Sequence, residues 1–482
     1  MPTTAATPDL ETQRQRLEAA GQAHVLRFYD ELPPESRRRL LEQLARLDVE
    51  ALPELVERYV LNKPTPTLPA DLQPAPYYPA DPSDPKRPWD AAKYRAAGED
   101  LLRRGKVAAF TVAGGQGSRL GYDGPKGCFP GGAVTGKPLF QIFAEGILAA
   151  GRKYGRPAPW YIMTSPLNHE ATVAFFKEHG YFGLAEGDVM FFPQGVMPSL
   201  DIGTGRMLMA AKDEVATNPD GHGGSIKALH VSGALADMRR RGIEQISYFQ
   251  VDNPIVKVVD PVFLGLHVAA PDSSGEMSSK MIPKTGPGEK VGVFCSAGGR
   301  TQVVEYSDMP EALSHATNPD GSLRFNAGSI AVHIMSVAFV EKLATDPGFA
   351  LPFHRAEKKV PCIDIETGEP IKPDTINGVK LEKFVFDALP LCRASIVLET
   401  DRIEEFAPIK NATGVDSVES SREIQTERAA RWLEAAGVEV PRRPDGKPDC
   451  TLEVGPLTAL EPADLRGKDL PPRIERGASI AF

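Results

Sequence analysis

Two glycine-rich stretches hold the residues best suited to chemistry. The first reads Ala113-Gly114-Gly115-Gln116-Gly117-Ser118-Arg119-Leu120-Gly121 and is followed by Gly124-Pro125-Lys126-Gly127. Glycines let the main chain approach an anion closely, and consecutive N–H groups can cradle phosphate oxygens. Arg119 and Lys126 add positive charge to the same stretch. The spacing argues against two familiar phosphate loops. In a dinucleotide fingerprint a glycine would follow Gly115-x-Gly117 at position 120, but that position is Leu and the glycine comes at 121. The second stretch, Gly131 to Lys137, opens like a P-loop, yet Pro138 stands where a magnesium-binding Ser or Thr belongs.

Such a loop needs a rigid support, and the residues before it supply one. Val107 to Val112 is a short apolar run closed by glycines, the pattern of a buried parallel strand. Further strand-like runs fall at Trp160 to Thr164, Val189 to Phe192 and Gln245 to Val251. Helical stretches lie around them at Ala91 to Arg104, Leu139 to Lys153 and Gly233 to Arg241. Strand and helix in alternation imply an α/β sheet with right-handed crossovers, whose ligands bind outside the carboxyl ends of the strands. Residues 9 to 61 read as an N-terminal helical module, with Leu40, Leu41, Leu44 and Leu47 on one stripe and a helix start at Pro33-Pro34. The proline-rich segment from Lys63 to Trp89 reads as an extended connector across the surface. Beyond about residue 405 the segments shorten, with glycine and proline punctuation that predicts a small C-terminal domain. The expected division is therefore 1–100 for the helical module and connector, 101–405 for the catalytic domain and 406–482 for the C-terminal domain. NPDG occurs at both Asn218 and Asn318, but four residues of turn chemistry do not make a repeat.

Composition narrows the function classes. With 482 residues, 25% of them charged and 41% hydrophobic, the chain lies in the range of a folded globular protein. Its net charge is -9, and no basic run is longer than Arg37 to Arg39 or Arg239 to Arg241, so nucleic acid is not an expected partner. Cys128, Cys295, Cys362, Cys392 and Cys450 are odd in number, scattered and free of C-x-x-C spacing, as expected of a reducing compartment without a disulfide framework or zinc site. The opening MPTTAATPDLETQRQ has no apolar leader core, and no apolar run approaches the roughly 20 residues that span a bilayer. The expected location is the cytoplasm, with no membrane partner. Nothing in the sequence sets an oligomeric state.

The string A-G-G-Q-G-S-R-L-G with P-K-G just after it resembles the signature of the UDP-sugar pyrophosphorylases, in particular the eukaryotic-type UDP-N-acetylglucosamine pyrophosphorylase family. The likeness continues in order through Ala20-Gly21-Gln22, Leu26-Arg27-Phe28, Met163-Thr164-Ser165, Pro219 to Gly224, Val251-Asp252-Asn253, Val303 to Ser307, Phe325 to Gly328, Glu382 to Asp387 and Phe406 to Asn411. The glycine loop alone would be weak evidence, but an ordered set over roughly residues 20 to 411 is specific. The resemblance implies a Rossmann-like nucleotide-diphospho-sugar transferase domain with a mixed, mostly parallel sheet. It implies Mg2+-assisted in-line attack of a sugar 1-phosphate on the α-phosphorus of UTP, with pyrophosphate leaving. Positioning and electrostatics, not a nucleophilic side chain, would carry such a reaction.

By the same resemblance Arg119 and Lys126 bind the triphosphate. Gln194 and the main chain at Gly221 meet the uracil edge, and the main chain of Gly114 and Gly115 lies near the nucleotide. Asp252, at the end of an apolar strand, is placed to share magnesium with phosphate oxygens, since that cation usually keeps few protein ligands. Glu305, Asn326 and the main chain near Gly292 would face the sugar, and Lys410 would meet its phosphate, delivered by closure of the last domain. His222 stands where other members carry Asn and reads as a tolerated loop substitution. The acceptor expected from Phe325 to Gly328 and Val303 to Ser307 is N-acetylglucosamine 1-phosphate. N-acetylgalactosamine 1-phosphate is a further candidate, and a glucose-1-phosphate uridylyltransferase or broad-specificity enzyme is the alternative within the same chemistry. An inactive nucleotide-sugar-binding regulator would have no need to keep Arg119, Lys126, Asp252 and Lys410 together, and all four are present. A nicotinamide-dependent oxidoreductase is disfavoured by the loop spacing and by the lack of a ribose-binding carboxylate after the next strand.

Overall fold

The computed structural model describes residues 9–64, 67–346 and 348–482. The first eight residues of the opening segment read for a leader, and Thr65 and Pro66 of the connector, lie outside them. The chain divides into two compact units. The smaller takes the described residues up to Thr67 together with Gln194–Gly224 and Ala350–Val385, and the larger takes Leu68–Pro193, Ser225–Phe349 and Phe386–Phe482. This division cuts the chain elsewhere than at 100/101 and 405/406.

In the smaller unit the helices α1 (Leu10–Ala19) and α2 (Pro34–Arg46) form as their sequences dictate. Asp9 caps α1 by accepting the Thr12 amide, and Pro34 opens α2, where its missing N–H costs nothing. Leu40, Leu41, Leu44 and Leu47 are all buried, in a cluster that also contains Leu200, Met207, Val215, Val379 and Leu381. The helices therefore share one core with two segments far along the chain.

The larger unit is built on a ten-stranded sheet: β1 (Gln73–Pro74), β2 (Val107–Val112), β3 (Trp160–Thr164), β4 (Val189–Pro193), β5 (Gln245–Gln250), β6 (Met277–Pro283), β7 (Val293–Ala297), β8 (Arg300–Val304), β9 (Ala327–Ser336) and β10 (Val397–Glu399). Its order is β1-β7-β9-β5-β2-β3-β4, with β6 also on β9, β10 on β6 and β8 on β7. The sheet is mixed: β5, β2, β3 and β4 run parallel, whereas β9 pairs antiparallel with β5, β6 and β7. The helices that cover it are α3 (Ala91–Arg103), α4 (Leu139–Tyr154), α5 (His169–Glu178) and α6 (Pro261–Ala269), followed at the C-terminal end by α7 (Val418–Ala435). Close packing of α3 on α6 requires glycine on both sides, because a Cβ on Gly98 would strike the Pro261 carbonyl and one on Gly265 that of Tyr94. From β2 the chain steps to β3 and β4 on one side, while β5 lies on the other, so the order reverses between β2 and β5. In an open α/β sheet this reversal leaves a crevice at the carboxyl ends of those two strands.

The connector is less superficial than its prolines predict. Leu72, Ala75 and Tyr78 are buried, and the amides of Ala75 and Tyr78 donate to Phe294 and Val397 at 3.3 and 2.8 Å. The prolines are spaced so that the intervening residues keep the N–H groups that stitch it to the sheet. No helix among the described residues is long and apolar enough to cross a membrane. All five cysteines are buried free thiols.

Candidate functional site

Gly114 lies two residues beyond Val112 of β2, and Asp252 two residues beyond Gln250 of β5, and those two strand residues are paired in register. The glycine loop and the carboxylate thus leave the sheet side by side at the reversal. The loop closes on itself through Gly117 N–H to Gly124 O at 2.9 Å and Lys126 N–H to Gly115 O at 3.0 Å. Arg119 projects from its exposed tip, and the Lys126 side chain passes over Gly115. Among the described residues neither cation has an ion-pair partner. Beneath the loop Asn168, buried ahead of α5, donates its Nδ2 to the carbonyls of Ala113 and Gly115 at 3.0 and 3.2 Å and accepts the Ser165 amide at 2.8 Å. Sequence reasoning missed this clamp; its one signal is an Asn three residues after the matched Met163-Thr164-Ser165.

Asp252, Gly292, Glu305 and Lys410 line one cavity of about 150 Å³, together with Lys290, Ser329 and Ala331. Asn326 is not among the lining residues, but its carbonyl accepts the amides of Lys284 and Gly328, and its side chain bonds Tyr77 of the connector. Gly292 is required here because a Cβ would lie 2.7 Å from Val303 and 2.9 Å from the Glu305 carboxylate. The adjoining wall is a bulge in β9, whose Ser329 amide donates to the Gly292 carbonyl at 2.8 Å. Between Ser279 and Met281 on β6 one residue faces three on β9, and Ala331 there takes φ 53, a left-handed conformation rare without glycine.

Lys410 is fixed from the strand side. Ile409 N–H donates to the Asp252 carbonyl at 2.8 Å. Asn253, buried, donates to the Glu405 carbonyl at 2.6 Å and accepts the Ala407 amide at 3.1 Å. The main chain that leads into Lys410 is therefore anchored beside Asp252. Behind this frame a buried lysine, Lys280, contacts Glu405 at 2.5 Å and Asp260 at 2.6 Å, and Lys257 reaches Glu405 at 3.1 Å. Burial alone would raise both carboxyls, but Lys280 and Lys257 outweigh it and hold Asp260 and Glu405 below their ordinary range.

Gln194 and Gly221 belong to the smaller unit, where they stand at the same end of a two-stranded ladder, Val196–Pro198 on Thr217–Pro219. Asp220 N–H donates to the Gly195 carbonyl at 3.1 Å, which brings the two residues together. Gly221 has φ 84, and a Cβ there would strike the Lys383 carbonyl. His222 accepts the Val385 amide on Nδ1 at 3.1 Å and stacks on Phe384 at 5.1 Å. Burial, with His354 nearby, pushes it down to about 4. It is a neutral ring that clasps the loop.

The second glycine stretch does not hold phosphate. The amides of Val134 and Thr135 donate to Glu453 at 2.8 and 2.9 Å, so the chain supplies its own anion. Among the described residues no group of three or more His, Cys, Asp or Glu is arranged to hold a metal.

The chain matches the family described as UTP–glucose-1-phosphate uridylyltransferase over residues 85–431. It is 38% identical over 476 residues to human UDP-N-acetylhexosamine pyrophosphorylase-like protein 1, covering 92% of each chain. It is 37% identical over 353 residues to the UDP-N-acetylglucosamine pyrophosphorylase of Saccharomyces cerevisiae, covering 72% of this chain and 73% of that one. Among solved structures, the Trypanosoma brucei UDP-N-acetylglucosamine pyrophosphorylase, in complex with an inhibitor, superposes with a TM-score of 0.80 at 27% identity over 98% of both chains.

Proposed function

The chain belongs to the UTP–glucose-1-phosphate uridylyltransferase family, and we propose that it joins UTP to N-acetylglucosamine 1-phosphate, forming UDP-N-acetylglucosamine and pyrophosphate. It is a UDP-sugar pyrophosphorylase. The observation that carries the proposal is the single cavity that gathers Asp252, Gly292, Glu305 and Lys410 at the carboxyl end of β5, next to the glycine loop on β2. Relatives named for N-acetylhexosamine or N-acetylglucosamine support the choice of acceptor. The family description supports glucose 1-phosphate as the second reading.

In this reading the amides of Gly114 and Gly115 lie along the triphosphate, with Arg119 and Lys126 neutralising its charge. Gln194 offers a donor and an acceptor to uracil beside the main chain at Gly221. Glu305 takes sugar hydroxyls against the bare face of Gly292, and Asn326, held by Tyr77, supports that wall. Lys410 binds the attacking phosphate and holds it in line. A hard divalent cation such as Mg2+ fits a carboxylate at a strand end, where phosphates and water would complete the coordination, and Asp252 would hold it. When bound it would neutralise charge on the α-phosphate and on the leaving pyrophosphate. Formation of UDP-sugar from UTP and N-acetylglucosamine 1-phosphate, with native protein and with Asp252→Asn, tests this. The expected result is turnover that the substitution reduces by about 10²-fold or more; full activity in Asp252→Asn would remove Asp252 from the site.

A further inference from the structure

The chain leaves the core at Ile409 and re-enters it at Ser417, which caps α7. Between them Asn411 to Val415 are exposed, and the turn is closed by the Asn411 side chain, which donates to the Val415 carbonyl at 2.8 Å, and by the Asp416 carbonyl. The amides of Lys410 and Asn411 both donate to the carbonyl of Asp416, at 2.7 and 3.0 Å. Asp416 takes φ 55, a left-handed conformation that Asp and Asn tolerate better than other non-glycine residues but still adopt at a cost. From there its carboxylate lies 3.4 Å from the Lys410 ammonium, and the same ammonium stands 5.4 Å over the Phe406 ring.

Stability does not account for this arrangement. Both side chains are partly open to water, 37% and 28% exposed, and such pairs contribute little to folding. At 3.4 Å the contact is also too long for a charge-assisted hydrogen bond, so the ammonium keeps donors for another anion. The cavity around Lys410 contains two competing carboxylates, Asp252 and Glu305, and one further cation, Lys290. A lysine free to swing would pair with Asp252 and neutralise the carboxylate proposed to hold the metal.

We propose that Asp416 is a positioning residue for uridylyl transfer: it tethers Lys410 away from Asp252 in the free enzyme and yields it to the phosphate of the arriving sugar 1-phosphate. The proposal rests on the assignment of Lys410 to that phosphate. The phosphate carries more charge than Asp416 and meets the ammonium at hydrogen-bonding distance, so the exchange runs forward on binding. Asp416 then acts through Lys410, with no contact to substrate.

Asp416→Asn preserves the shape of the side chain and tolerates the backbone conformation, so it removes the charge alone; Asp416→Gly relieves the backbone and serves as a second variant. With UTP, Mg2+ and N-acetylglucosamine 1-phosphate, both are expected to raise KM for the sugar phosphate about tenfold while kcat at saturation stays native, because the tether acts only until the phosphate binds. In a Lys410→Met background, Asp416→Asn is expected to have no further effect on kcat/KM, because its route of action is gone. Native KM for the sugar phosphate in Asp416→Asn, a loss confined to kcat, or an equal and additive loss in the Lys410→Met background would overturn the proposal. Native kinetics in Lys410→Met itself would overturn the Lys410 assignment instead.

Discussion

The main-chain carbonyl of Asp252 accepts the amide of Ile409 at 2.8 Å, so the strand end that carries Asp252 and the main chain that leads into Lys410 belong to one hydrogen-bonded frame. Asn253 completes it with its two bonds to Glu405 and Ala407. Replacing Asn253 by Ala leaves a buried carbonyl and amide without partners and lets the Lys410 segment shift. The expected loss of kcat is about 10²-fold, as for a displacement of about 1 Å in a positioned group, measured by pyrophosphate release alongside a melting curve. Unchanged kcat would mean that Lys410 is positioned from elsewhere.

The Lys280 cluster supports the same frame from inside the core. Lys280 and Glu405 are 1% and 2% exposed, so removing either partner alone strands a charge, at about 3–5 kcal/mol. Lys280→Met is expected to lose that amount in urea unfolding, and Lys280→Met with Glu405→Gln to recover part of it. The cluster also predicts acid sensitivity. Asp260 and Glu405 titrate below their unfolded range in the folded chain, so their contribution is complete above about pH 5 and is lost as the pH falls through the depressed folded values.

His222 gives a separate signal in the smaller unit. Its folded value of about 4 lies below the ordinary 6.5. The unfolded chain therefore takes up the proton first, and stability declines as the pH drops from about 6.5 towards 4. His222→Asn, which can still accept the Val385 amide, is expected to flatten that slope in urea titrations at pH 7 and pH 5. An unchanged slope would show that the ring is not the group responsible.

Gly292→Ala would place a methyl group against Val303 and the Glu305 carboxylate. KM for the sugar 1-phosphate is expected to rise about tenfold or more, with KM for UTP unchanged. An equal rise in both would indicate general damage.

Glu453→Ala would leave the Val134 and Thr135 amides and the Thr135 hydroxyl without their acceptor. The expected cost is about 1–3 kcal/mol of stability with KM for UTP unchanged. A selective loss of UTP affinity would restore a phosphate role to that loop.

What the sequence reveals and what it hides follow from the range of the interactions. The parallel strands are legible because each is a short apolar run ended by glycine or a turn, and the loop after β2 is legible because its glycines and cations are contiguous. The pairing of Asp252 with the Lys410 segment is not legible, since it joins positions more than 150 residues apart, and every partner of the Asp252 carbonyl and the Asn253 side chain there is a main-chain group that no side-chain pattern reports. Lys280 gives no sign of its partners, because a lone lysine within Met277–Pro283 reads equally well as an exposed residue on an edge strand. The depth of the connector is hidden for a related reason: its prolines advertise extension, whereas its anchoring depends on which residues between them keep an N–H. His222 read as a neutral substitution because its acceptor role requires Val385, far along the chain.

The most direct test of the account is pyrophosphate release from UTP and Mg2+ with N-acetylglucosamine 1-phosphate, N-acetylgalactosamine 1-phosphate and glucose 1-phosphate compared as acceptors. The account predicts release with all components present and the highest kcat/KM for N-acetylglucosamine 1-phosphate. A preference for glucose 1-phosphate would contradict the acceptor assignment, and no release with any acceptor, from folded protein that binds UTP, would contradict the catalytic one.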